Sequence, residues 1–136
     1  MCRLHYEPWE LCLFENIECQ WPLFYCFLVI NGCFSGNDDD VRRFSKALDR
    51  CIVWQDNVPL VPELYALPKE EVDAFRTNGG EMPGMRVSGR VPMLWAQSLY
   101  VVGNLLTEGH VAIGELDPVN RRLSSLQKPE TIVQVG

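Results

Sequence analysis

Carboxylates and aromatic side chains are the groups in this 136-residue sequence whose spacing could support chemistry. Glu15, Glu18 and Trp21 fall together just before a long apolar run. Glu63 and Tyr65 lie in a Pro-rich stretch upstream of a second apolar run, which contains Trp95 and Gln97 near its start. Sugars are held by ring faces stacked on aromatic groups and by hydroxyls hydrogen-bonded to carboxylates and amides. An inverting glycosidase also needs two carboxyl groups ~6.5–9.5 Å apart across the scissile bond. Each residue has a plain structural role open to it as well. Glu18 can stabilise a helix N-terminus, Glu63 can be a solvated loop carboxylate, and Trp21 and Trp95 can be core.

Other chemistries find little support. Eighteen acidic against twelve basic residues give a net charge of −6, which repels phosphate backbones, so nucleic acid is not an expected partner. No phosphate-binding glycine loop, Ser/His/Asp set or Cys/His pair is present. No Cys-x-x-Cys occurs, and neither His5 nor His110 has a cysteine at zinc-ligand spacing, so no metal and no cofactor are expected. Cys12, Cys19, Cys26 and Cys33 recur every seven residues. Two of them sit in apolar sequence, where free cysteine packs as a small hydrophobe. Met1–His5 has no secretory pattern, so reduced thiols and a cytoplasmic location are expected.

Positioning these groups requires helices. Trp21–Phe34 is apolar on every side, with Pro22 suited to a first helical turn and Gly36 to a stop. It is too short to span a membrane, so it is expected to be an interior helix buried all round. Asn37-Asp38-Asp39-Asp40 then supplies a cap and first-turn carboxylates. Val41, Phe44, Leu48, Cys51 and Ile52 form one stripe behind them, predicting an amphipathic outer helix. A third helix, again largely buried, is predicted from about Pro92 to Glu108, ending at Gly109. Inner, outer, inner is the order that concentric packing of helical hairpins requires; a small irregular all-α domain is the other arrangement available. If the two inner helices run parallel, their starts share one rim with Glu63.

The remaining segments are less regular. From about Val53 to Val91 a long irregular loop is expected, with a helical turn at Lys69–Phe75. Its Pro/apolar half is expected to be ordered and functional, and its Gly-rich half, Asn78–Gly89, mobile. Thr131–Val135 alternates as an extended segment, which suggests that more protein follows.

Blocks spread along the chain carry a resemblance. They are Arg3–Leu11, Phe14–Phe24, Phe34-Ser35-Gly36-Asn37, Val58-Pro59-Leu60-Val61-Pro62-Glu63-Leu64-Tyr65, Trp95-Ala96-Gln97-Ser98-Leu99-Tyr100 and Leu116-Asp117-Pro118-Val119-Asn120-Arg121-Arg122. In order and in sequence they resemble the regulatory alpha/beta subunits of phosphorylase kinase. The Asn-Arg-Arg-x-Ser run and Lys128–Val135 look more like alpha. The resemblance implies an all-α fold: the C-terminal part of a glucoamylase-like ring of six helical hairpins, inner and outer helices alternating, over residues 1–118, with a linker and the start of a following segment at 119–136. It implies a regulatory, non-catalytic role in glycogen breakdown, scaffolding or inhibiting a kinase catalytic subunit. The partners it implies are the beta, gamma and calmodulin (delta) subunits, with glucan as a further ligand. In glucoamylase-type hydrolases a glutamate in the loop before a late inner helix is the general base, and Glu63 falls at that position. Glu18, Trp21, Tyr65, Trp95 and Gln97 would be the substrate-binding groups around it. The general acid would lie in an earlier helix that this chain lacks. The Gly-rich stretch departs from the family pattern. An inverting glucan hydrolase keeping its base, and a plain helical interaction domain, are the alternatives. Calmodulin-binding and prenylated segments, which place the family at the inner face of the plasma membrane, belong to its distant carboxyl end. No such anchor, and so no direct membrane contact, is expected here. Finally, Arg121-Arg122-Leu123-Ser124 is similar to a cyclic-AMP-dependent kinase acceptor, making Ser124 a phosphorylation candidate; so short a pattern also arises by chance.

Overall fold

The computed structural model describes residues 5–14, 18–80 and 84–117. Its architecture is mostly helical with two small sheets. After a short helix α1 (Pro8–Leu11) and a strand β1 (Cys19–Gln20), the first long helix, α2, runs Pro22–Ser35. Pro22 occupies its first turn, where a missing N–H leaves nothing unsatisfied. Gly36 ends it at φ 67°, a left-handed conformation that glycine adopts without strain. Asn37 then caps α3 (Asp38–Asp49), its side chain accepting from the Asp40 N–H at 3.1 Å, with Asp38, Asp39 and Asp40 in the first turn.

The two helices form an antiparallel hairpin in which Gly32 meets Val41 and Tyr25 stacks on Phe44 at 6.5 Å. Helix α3 buries Leu48 and leaves Arg42, Arg43 and Lys46 exposed, as an outer helix does. The third long helix, which we number α5, spans Leu94–Thr107. It lies beside α2: the Cys26 thiol is 3.6 Å from the Ala96 carbonyl, and Gly103 packs against Val29 and Ile30. Partners move forward on both helices together, so α2 and α5 run parallel. Leu23, Val61 and Ala96 form the core between them, with Ile52, Met93, Leu99 and Tyr100 packed around it.

Neither inner helix is buried all round, which corrects the expectation from composition. Helix α2 buries Leu23, Cys26, Val29 and Gly32, whereas Phe24 is 60% exposed and Phe27 and Leu28 are also open. Helix α5 buries Ala96 and Gly103 and leaves Leu94, Trp95 and Val101 exposed. Each helix shares one stripe with the other, and among the described residues no element covers the opposite stripe.

The segment between α3 and α5, expected to be irregular, is largely regular. Strands β2 (Val53–Gln55) and β3 (Val58–Leu60) form a hairpin with Trp54 across from Pro59. Its turn residues Asp56 and Asn57 have φ 49° and 64°, the primed geometry that suits two-residue hairpins. Strands β4 (Leu64–Ala66) and β5 (Arg86–Ser88) join β1 in an antiparallel sheet ordered β1-β4-β5. Helix α4 (Lys69–Asn78) lies between β4 and β5 in sequence, longer than the turn expected there. Its Glu71 pairs with Arg86 at 2.5 Å, and its Arg76 donates to the Leu13 carbonyl. Part of the Gly-rich half, expected to be mobile, is therefore a paired strand. A short helix α6 (Ile113–Leu116) follows α5.

Cys26 and Cys51 are buried, and Cys12 and Cys19 exposed, so the seven-residue spacing does not reflect one shared face. Among the described residues no helix is long and apolar enough to cross a membrane, and no group of three His, Cys, Asp or Glu could hold a metal. Glu15, Ser124, the linker at 119–136 and its extended segment lie outside the described residues.

Candidate functional site

The site is built where the loop after β3 meets the start of α5. Three bonds pin that loop. Met93 N–H donates to the Val61 carbonyl at 2.9 Å, Val61 N–H donates to Gln97 Oε1 at 2.8 Å, and Gln97 Nε2 donates to the Pro59 carbonyl at 3.1 Å. Val61 and Pro62 are fully buried beneath this tie. Glu63, the next residue, is consequently delivered to the N-terminal end of α5 at a fixed height. Its N–H donates to the Arg90 carbonyl at 2.9 Å, and its Oε2 accepts from Arg90 N–H at 2.9 Å.

Glu63 opens on a depression of ≈ 480 Å³ lined also by Arg90, Pro92, Met93, Leu94 and Trp95. Trp95 is 57% exposed. Its ring meets Phe27 of α2 edge-to-face at 5.8 Å and 84°, which fixes the indole plane while leaving indole surface to solvent. The depression thus combines one carboxylate and one aromatic platform, with Arg90 in its wall.

The other expected residues are placed as follows. Trp21 is half-buried at the N-cap of α2. Gln20 pairs with Tyr65 and Cys19 with Ala66. Extending this register by one residue sets Trp21 opposite Leu64, on the Glu63 side, and carries exposed Glu18 to the other end of the strand. Tyr65 turns its hydroxyl to the Cys51 carbonyl at 3.2 Å. Burial, with Cys51 as a lesser cause, pushes this phenol above its ordinary value. Gln97 has both ends of its amide engaged by the loop. The structure therefore brings Glu63 and Trp95 into one depression, leaves Trp21 outside its lining, and gives Tyr65 and Gln97 backbone partners instead.

Gly89 and Arg90 complete the site and were not expected in it. Only the β4–β5 pairing, Leu64 with Ser88, carries them to Glu63, and two three-residue strands leave little periodicity to find. Chemically, a ring face can stack on Trp95 while its hydroxyls bond the Glu63 carboxylate. Inverting hydrolysis needs an acid as well as a base, and Glu63 is the one carboxylate among the described residues lining the depression.

The family model for glycosyl hydrolases family 15 matches residues 2–134. The sequence is 48% identical over 135 residues to the phosphorylase b kinase regulatory subunit alpha, skeletal muscle isoform, of Rattus norvegicus. It is 47% identical over 135 residues both to the liver isoform of Mus musculus and to the probable phosphorylase b kinase regulatory subunit alpha of Drosophila melanogaster. Each similarity covers 98% of this chain and 11% of the relative, so the chain spans about a ninth of the length of the relatives it matches.

Proposed function

This chain belongs to glycosyl hydrolases family 15, and from that premise we propose that it is a segment of a phosphorylase kinase regulatory subunit of the alpha type. It works in the cytoplasm in the control of glycogen breakdown and does not itself transfer phosphate. Its job is to hold and restrain the kinase catalytic subunit together with beta and calmodulin subunits, and to bind glucan at the Glu63–Trp95 depression. The observation that carries this reading is the 47–48% identity, over 98% of the chain, to proteins named as regulatory alpha subunits. The finer architecture is part of the same proposal: a six-hairpin ring with inner and outer helices alternating, residues 1–118 being part of it. The parallel inner pair α2 and α5, with amphipathic α3 outside, supports that arrangement.

Two measurements test it. The complete protein, mixed with a phosphorylase kinase catalytic subunit, is expected to co-elute with it and lower its basal rate; separate elution at micromolar concentration refutes the regulatory reading. Maltoheptaose is expected to change tryptophan fluorescence, with Trp95→Ala weakening binding about tenfold, the value of one good aromatic contact. Glucose release that Glu63→Gln abolishes would instead establish a hydrolase.

A further inference from the structure

We propose that Gly89 and the main chain of Arg90 are positioning residues for the Glu63 carboxylate, a clamp that fixes which of its oxygens faces a ligand. The consequence for glucan rests on the binding reading above; the clamp itself does not. Glu63 and Arg90 are joined by a reciprocal pair of bonds, N–H to carbonyl in one direction and N–H to Oε2 in the other, each 2.9 Å. A loop glutamate that is only half-buried ordinarily samples several rotamers, and this ring selects one. Oε2 is thereby engaged, while Oε1 has no hydrogen-bond partner among the described residues and is the oxygen available to a sugar hydroxyl beside Trp95.

Gly89 is what lets the main chain come this close. Its φ is 78°, and a Cβ there would stand 2.6 Å from Glu63 Oε2 and 2.9 Å from Glu63 Cβ and Cδ. The position therefore demands glycine for two separable reasons, backbone sign and space. Asparagine tolerates the left-handed region but carries the offending Cβ. If Gly89 served only a turn, Gly89→Asn would be accepted. If it serves the carboxylate, Gly89→Asn displaces Glu63 as Gly89→Ala does.

The test uses the complete protein and two readouts. Hydrogen–deuterium exchange at the Arg90 amide is expected to quicken about tenfold in Glu63→Ala and in Gly89→Asn, the value of one lost hydrogen bond. The Met93 amide, bonded to Val61, is expected not to change. An Arg90 amide indifferent to Glu63→Ala overturns the clamp whether or not sugar binds. Maltoheptaose affinity is expected to fall about tenfold in Gly89→Asn and to fall by clearly less when Gly89→Asn is added to Glu63→Ala, because no carboxylate remains to be misdirected and only the contact with the residue-63 Cβ is left. An equal loss in both backgrounds overturns the proposal, since Gly89 would then act independently of Glu63. A flat titration of the unmodified protein alongside a responsive Arg90 amide upholds the clamp and rejects the glucan reading.

Discussion

Alanine at Gly32 and alanine at Gly103 are expected to move stability in opposite directions, although both glycines are buried in long apolar helices. In either helix interior the exchange gains ~1 kcal/mol of helix propensity. At Gly103 the new Cβ would meet Val29 Cγ1 at 3.5 Å and Ile30 Cγ1 at 3.9 Å, ordinary contact distances. The gain there is kept, and burying one methyl adds up to ~0.8 kcal/mol. At Gly32 the Cβ would stand 2.8 Å from Val41 Cγ2, 3.2 Å from the Val41 nitrogen and 3.4 Å from the Asn37 carbonyl oxygen. Val41 is β-branched and in a helix has one strongly preferred rotamer, so its methyl has little room to turn away. The nitrogen belongs to the first turn of α3, whose N–H bonds Asn37 O at 3.1 Å. Overpacking of this kind costs ~1–3 kcal/mol, leaving Gly32→Ala destabilising by about 1 kcal/mol and the two variants ~2 kcal/mol apart. Urea unfolding measures this as midpoints shifted up for Gly103→Ala and down for Gly32→Ala at constant slope. Adding Val41→Ala to Gly32→Ala is expected to relieve the Cγ2 contact, so the pair loses less than the sum of the singles. If Gly32→Ala stabilises as much as Gly103→Ala, the close packing of α2 on α3 is refuted.

Two other outcomes follow from the described contacts. Gln97→Leu keeps the volume but strands the Val61 N–H and the Pro59 carbonyl, costing ~1–3 kcal/mol; Gln97→Glu retains the acceptor for Val61 and is expected to cost less, and an unchanged urea midpoint for the leucine variant would refute the tie. Cys26, pushed by burial from its ordinary 9.0 to about 11, is expected to be alkylated about a hundredfold more slowly at pH 8 in the folded protein than in the urea-unfolded chain, from thiolate fraction alone. Between those two values the unfolded thiol sheds its proton while the folded one keeps it, so this group's contribution to stability falls as pH rises through that window and is flat below it. A midpoint that rises with pH there would contradict the burial of Cys26.

The long helices were legible because their signals are local. Pro22, Gly36, Asn37 and the Asp38–Asp40 run mark ends within a turn of the residues they act on, and the helices begin and stop within two or three residues of those marks. The parallel course of α2 and α5 was only a condition in the sequence, one of two arrangements open to it, and it is the Cys26–Ala96 and Gly103–Val29 contacts that show it. Burial did not follow, because an all-apolar helix says that every side wants a neighbour but not which neighbours are present; Phe24 and Leu94 remain exposed. The strands of 53–91 were hidden by their brevity and by Pro59 within β3. The Asp56-Asn57 pair between two β-rich triplets was nonetheless a hairpin signal in plain view. At the site, Glu63 and Trp95 were findable as residue types near a helix start. Arg90 was not, since its role is that of a peptide group, and the fastening of the Gln97 amide to main chain depends on a loop fold that its residue type does not reveal.

That fastening has a mechanical meaning. With Val61 tied to Met93 and Gln97, and Glu63 tied to Arg90, the carboxylate travels with the first turn of α5 as one stiff piece. The helix is 14 residues long, or ~21 Å at 1.5 Å per residue, so a push on its distal end near Thr107 is transmitted as displacement instead of being dissipated in a slack connector.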